Sequence, residues 1–178
     1  MIFAEPIEMA VSLVDARNAA RINGTDFDAE IAIRVRALTA EAEHITGRAI
    51  INRTHRLTFS SFPAKIYLPE SPAASVISVK YFDPEGVERT LNPIDWYLDA
   101  ASEPGYIMPS PGKAWPATLA RTNAVTVLAV CGYGPDHTTT PAAFKGYVLA
   151  KVREYFAPPG TPESPYLIRG LESLKVHQ

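Results

Sequence analysis

Between Phe27 and Ile45 the apolar positions are Phe27, Ile31, Val35, Leu38, Ala42 and Ile45, at steps of four, four, three, four and three. That spacing lines one face of an α-helix, and Arg34, Arg36, Glu41 and Glu43 fall largely elsewhere. Thr25 or Asp26 is placed to cap its start. Gly47 follows the last apolar position, where a left-handed residue ends a helix. The predicted helix runs to about Thr46 and is roughly 30 Å long at the helical rise per residue. The first ordered element predicted is a shorter helix before it, near Ser12 to Ala20. Ser12 and Asp15 have the spacing of a capping box, and Arg21-Ile22-Asn23-Gly24 ends the helix.

After Gly47 the period changes. His55 to Phe62 alternates loosely, and Lys65 to Leu68 is a short extended piece between Pro63 and Pro69. Ser75 to Phe82 is rich in β-branched and aromatic residues. Asp83-Pro84-Glu85-Gly86 has turn chemistry and Val87 to Leu91 returns, which predicts a hairpin. Trp96 to Asp99, Tyr106 to Met108 and Ala124 to Val130 read as further strands, the last closed by Gly132-Tyr133-Gly134-Pro135. Helix returns with Pro141 at its first position and Thr140 as cap. Phe144, Val148, Lys151 or Val152, and Tyr155 give the helical spacing, and Pro158 and Pro159 stop it. Ala157 to Pro165 is a proline-rich linker. Beyond it Leu167, Leu171 and Leu174 share one side of a helical stretch too short to be stable alone.

Helices from the two ends pack together only if the β region leaves and re-enters as an insertion. The expected fold is α+β: a small helical bundle formed by N- and C-terminal helices, with an inserted antiparallel β region of about six short strands. Residues 1–50 are expected to hold the N-terminal helices, 51–135 the β subdomain, 136–157 the closing helix and 158–178 the linker and tail.

Composition narrows the class. A chain of 178 residues with 47% hydrophobic and 20% charged residues has the mix of an ordinary globular domain. The formal charge of −2 gives no basic footprint for a nucleic-acid or membrane partner. Cys131, as the one cysteine, forms no internal disulfide, which fits a reducing compartment. The apolar start carries Glu5 and Glu8 and no basic region, so it is not expected to be a secretory leader. The 16 prolines cluster in the middle and near the end, consistent with short strands and turns there.

The residues with catalytic potential fall into no catalytic pattern. His44, His55, His137 and His177 have no two-histidine helical spacing, so no metal site is expected. His137 with Asp136 and three threonines reads as a polar loop rather than a cation site. Cys131 at the end of an apolar strand reads as a packing residue, not a nucleophile. Gly132-Tyr133-Gly134 lacks the third glycine of a dinucleotide loop, and no nucleophile elbow or Walker sequence occurs. Acidic pairs such as Asp95 and Asp99, or Asp83 and Glu85, could serve glycoside hydrolysis, but the second lies in a predicted turn, where acids are common for conformational reasons. Trp96, Tyr97, Tyr106 and Trp115 are either a sugar-binding platform or core and rim residues of a small sheet. No catalytic, cofactor or metal residue is assigned, and no enzyme activity is expected.

Several segments in order resemble the phage head–tail connector (adaptor) family. They are Val11-Ser12-Leu13 with Ala16-Arg17 and Arg21-Ile22, then Ile45-Thr46-Gly47-Arg48-Ala49-Ile50, then Leu68-Pro69 and Pro72. The block Ser75 to Asp83 with Gly86 is the most distinctive. Tyr97-Leu98-Asp99, Trp115-Pro116, Asn123 to Val127, Gly132-Tyr133-Gly134 and Pro141 follow. The resemblance covers roughly Met9 to Phe156 and is to the subgroup with a β insertion in a helical adaptor. It implies a dodecameric ring in the neck of a phage or gene transfer agent particle. The ring would join the portal protein to a stopper or tail-completion protein, with DNA crossing its lumen unbound and no membrane contact. It further implies that the C-terminal segment docks on the portal. Tyr166, Leu167, Ile168, Leu171 and Leu174 are the expected anchors, with Arg169 and Lys175 giving polar contacts. The alternative for the tail is that it folds back on its own helices. The alternative for the whole chain is a carbohydrate- or cell-surface-binding β module on a helical stem.

Overall fold

Ser12 turns the chain into the first helix, α1 (Leu13–Ala20). Its Oγ accepts from the Asp15 N–H at 3.0 Å and donates to the Asp15 carboxylate at 2.7 Å, so the two side chains of the expected capping pair bond to each other. Arg21 takes the left-handed conformation at its end. The long helix, α2 (Asp28–Thr46), ends as its sequence predicts, with Gly47 left-handed at φ 68° and its N–H on the Glu43 carbonyl. Its start differs from expectation. Phe27 is the cap, without a side-chain bond, because Thr25 to Asp28 closes a turn through the Asp28 N–H and the Thr25 carbonyl. Phe27 is 48% exposed rather than core, while Ile31, Val35, Leu38 and Ala42 are buried.

The computed structural model describes residues 1–4, 6–162, 164 and 166–176; Glu5, Pro165 and His177 lie outside the described residues. The closing helix is α3 (Ala142–Tyr155), one residue later than predicted. Pro141 is itself the cap, extended at ψ 145°, and its carbonyl already accepts from the Lys145 N–H. Thr140 therefore caps nothing, and its hydroxyl is buried without a partner. A single turn, α4 (Arg169–Glu172), follows the linker. The three longer helices pack pairwise, and α4 packs on α2 and α3. Their core joins Ala16, Val35, Leu38, Phe144, Val148 and Leu171, among others.

The strands form a separate unit. They are β1 (Ile2–Ala4), β2 (Arg53–Phe59), β3 (Ile66–Tyr67), β4 (Ala73–Phe82), β5 (Glu88–Thr90), β6 (Trp96–Asp99), β7 (Tyr106–Pro109) and β8 (Val125–Cys131). One antiparallel sheet has the order β1-β2-β8-β4-β5 and a second the order β3-β7-β6. The predicted hairpin is β4–β5, with Gly86 at φ 83° in its turn. Strand β1 was not predicted. Three residues carry no readable period, and the partner, β2, lies about fifty positions away. On β8 the alternation is complete: Val125, Val127, Ala129 and Cys131 are buried and the residues between them are half-buried. Gly132 ends that strand at φ 139°, where an added Cβ would lie 2.7 Å from the Asn52 backbone.

The fold is thus α+β, with N- and C-terminal helices packed together and an antiparallel β region inserted between α2 and α3. One compact unit takes the first strand and Asn52–Gly132; the other takes Pro6–Ile51 and the chain from Tyr133 onward. Among the described residues no helix is long and apolar enough to cross a membrane.

Candidate functional site

The C-terminal tail returns to the helical unit and is held there by both side chains and backbone. Leu171 is 1% exposed within the core of that unit, and Leu167 and Leu174 pack half-buried against it. Burying a leucine of this kind contributes about 1.5–3 kcal/mol. Three hydrogen bonds fix the path of the chain. Ser164 N–H donates to Glu154 Oε1 at 2.7 Å, Arg48 Nε donates to the Leu174 carbonyl at 2.5 Å, and Val176 N–H donates to the Thr46 carbonyl at 2.9 Å. Burial by itself would raise the Glu154 pKa, but the Ser164 N–H and Lys151 outweigh it and hold it low.

The seven expected docking residues therefore divide into two sets. Leu167, Leu171 and Leu174 face the chain's own helices. Tyr166 and Ile168 are exposed at 66% and 45%, and Arg169 and Lys175 are exposed too. The Arg169 guanidinium lies 5.4 Å from the centre of the Tyr166 ring.

Elsewhere several carboxylates have local partners. Asp136 accepts from the N–H and the hydroxyl of Thr138, which hold its carboxyl below its ordinary range. Asp83 accepts from Arg89 and from the Val87 N–H, and its pKa is lowered for that reason. Asp95 pairs with Lys113 at 3.1 Å, and Asp99 takes both the N–H and the hydroxyl of Ser102. Cys131 is buried, and that burial pushes its thiol up to about 11, away from the thiolate a nucleophile needs. Among the described residues no group of three or more His, Cys, Asp or Glu side chains is arranged to hold a metal. Trp115 stacks on Phe62 at 4.7 Å, and the outward tyrosines are on the three-stranded sheet, where Tyr67 meets Tyr106 edge-on at 5.7 Å.

The sequence matches no family model and no curated protein. Its fold is nevertheless shared end to end with chains of solved particles. One, from the neck of an empty gene transfer agent (GTA) particle computed with C6 symmetry, is 18% identical with a TM-score of 0.75, covering 100% of this chain and 96% of that one. A second, from the virion of a native GTA particle, is 21% identical with a TM-score of 0.75, covering 100% and 95%. A third, from the neck of a native GTA particle computed with C12 symmetry, is 21% identical with a TM-score of 0.72, covering 100% and 96%. The likeness extends through both units and the tail.

Sequence reasoning named the tail but not what receives it. Arg48, Thr46 and Glu154 hold it, and all three sit next to features that were read: the Gly47 cap and the end of the closing helix. Their only sequence signal is position, because a helix end leaves carbonyls free for a returning segment.

Proposed function

We propose that this chain is a structural head–tail connector (adaptor). In this reading its copies form a ring, dodecameric in the particle, in the neck of a tailed phage or gene transfer agent particle. The ring joins the portal protein to the stopper or tail-completion protein, and DNA crosses its lumen without specific binding. The observation that carries this reading is the full-length likeness to GTA chains, two of them from necks computed with cyclic symmetry. A non-enzymatic role is consistent with the carboxylates already bonded to neighbours and the high pKa of Cys131.

Portal docking falls to the tail. Tyr166, Ile168, Arg169 and Lys175 are its exposed apolar and basic side chains. Leu167, Leu171 and Leu174 become portal anchors only if the tail lifts from its helices. Electron microscopy of the protein mixed with its portal tests both parts. The expected result is an extra ring layer on the portal, lost with Ile168→Asp in a chain that remains folded. Folded protein with intact portal and no added layer overturns the connector reading. An added layer that survives both Ile168→Asp and truncation after Ala157 overturns the tail assignment alone.

A second reading, a carbohydrate-binding β module, is favoured by one feature: Tyr67 and Tyr97 are 55% and 39% exposed on the three-stranded sheet. It requires glycan-dependent fluorescence changes and no portal assembly.

A further inference from the structure

Helix α2 is apolar on two opposite faces. Ile31, Val35, Leu38 and Ala42 point into the core. Ala29, Ile33, Ala37 and Ala40, at steps of four, four and three, fall on the opposite side and are all exposed, Ile33 at 71%. An amphipathic helix covered on one side only carries polar residues there. Exposed Glu30 and Glu41 border this outer stripe on one edge and Arg36 on the other. Glu30 also accepts from the Tyr155 hydroxyl at 3.0 Å.

On the same helical unit, between α1 and α3, lies an open groove of about 330 Å³. Ala19, Leu149 and Ala150 line it with small and apolar side chains, and Arg21 and Arg153 stand at it. Both arginines are exposed, and neither has a carboxylate partner among the described residues. The stripe is an apolar ridge with acids along one edge and Arg36 along the other, and the groove is an apolar trough with two arginines at it. They belong to different helices of one packed bundle, so a single copy cannot bring them together.

We infer that the outer face of α2 on one copy seats in the α1–α3 groove of the next copy. Ile33 and the alanines beside it enter over Ala19, Leu149 and Ala150, while Glu30 and Glu41 meet Arg21 and Arg153. Small side chains on both surfaces allow the close helix approach of ridges-into-grooves packing. The contact joins two different surfaces, and such head-to-tail contacts close into rings when the rotation per copy permits. The inference rests on the ring reading above and assigns the surfaces that build the ring.

Disulfide trapping tests it, since Cys131 is buried and does not compete. Full-length protein carrying both Ile33→Cys and Ala150→Cys is oxidised under conditions where rings form on the portal. The expected result is a ladder of covalent multimers, absent from either single variant alone. Adding Arg21→Glu and Arg153→Glu is expected to cut the ladder about tenfold at low salt. Rings seen by microscopy without a ladder overturn these surfaces and leave the ring reading standing. Ile33→Cys alone dimerising as well as the double variant also overturns them, because that is a symmetric contact. Neither ring nor ladder overturns both readings.

Discussion

His55 is 3% exposed on β2, with its Nε2 3.0 Å from Glu70 Oε2. Arg53, two residues earlier on the same strand and face, reaches the other oxygen of that carboxylate at 3.5 Å. Burial by itself raises the Glu70 pKa, but the His55 hydrogen bond and the Arg53 charge outweigh it, and the net shift is downward. A depressed folded pKa contributes stability that is present above the ordinary glutamate value of 4.5 and lost as pH falls through the folded value. The expected outcome is an acid limb in the denaturation midpoint below about pH 4.5, flattened by Glu70→Gln. That substitution is also expected to cost about 1–2 kcal/mol at neutral pH; an unchanged acid limb would remove the triad from the account. Cys131 gives a second check at this scale. With its thiol buried and its pKa about 11, it should react with a thiol reagent at pH 8 only as fast as the sheet unit opens, so the rate should climb with denaturant. The packing role of Cys131 was legible from its place in an alternating apolar run. The partner of His55 was not, because a contact across fifteen positions through a loop leaves no period in the sequence.

At the scale of elements, helix ends were legible where one residue type settles the geometry. Gly47 ends α2 because a left-handed residue there costs a side chain strain that glycine avoids, and Gly47→Ala should cost about 1 kcal/mol in chemical denaturation. Ser12→Ala should cost about the same, through the lost bond to the Asp15 N–H. Starts governed by competing turns were misread. Thr25 and Asp26 are good caps by type, yet the Asp28 N–H is taken by a backbone carbonyl and Asp28 itself turns to Arg17 at 3.3 Å. The tail element follows the same logic. Four helical residues cannot persist alone, so α4 exists because Leu171 is buried. Leu171→Ala should cost about 2–5 kcal/mol locally, without unfolding the three longer helices. Hydrogen exchange would then show faster exchange at Leu171 to Val176, the Val176 N–H on Thr46 above all, with amides of α2 little changed. Loss of the whole bundle instead would make the tail part of the core rather than a separable segment.

At the scale of the molecule, the insertion topology was legible because two amphipathic ends each needed a partner for an apolar face. The outer stripe of α2 gives no comparable signal, since alanines at helical spacing read as helix formers before they read as a surface. Net charge is the property of the whole chain that bears most on the proposed role as a conduit. Non-specific affinity for duplex DNA grows with the number of phosphates a protein neutralises, and a ring that gripped its cargo would stall it. A formal charge of −2, with Asp83 answering Arg89, Glu88 answering Lys80 and Asp95 answering Lys113, leaves no net positive charge to hold phosphates. The expected outcome in a fluorescence titration at about 0.15 M salt is no duplex binding tighter than roughly 10⁻⁴ M, with a shallow salt dependence. Micromolar binding with a steep salt slope would instead make the chain a DNA-holding protein, and the lumen would have to be assigned to a face carrying Arg56, Lys80 or Arg121.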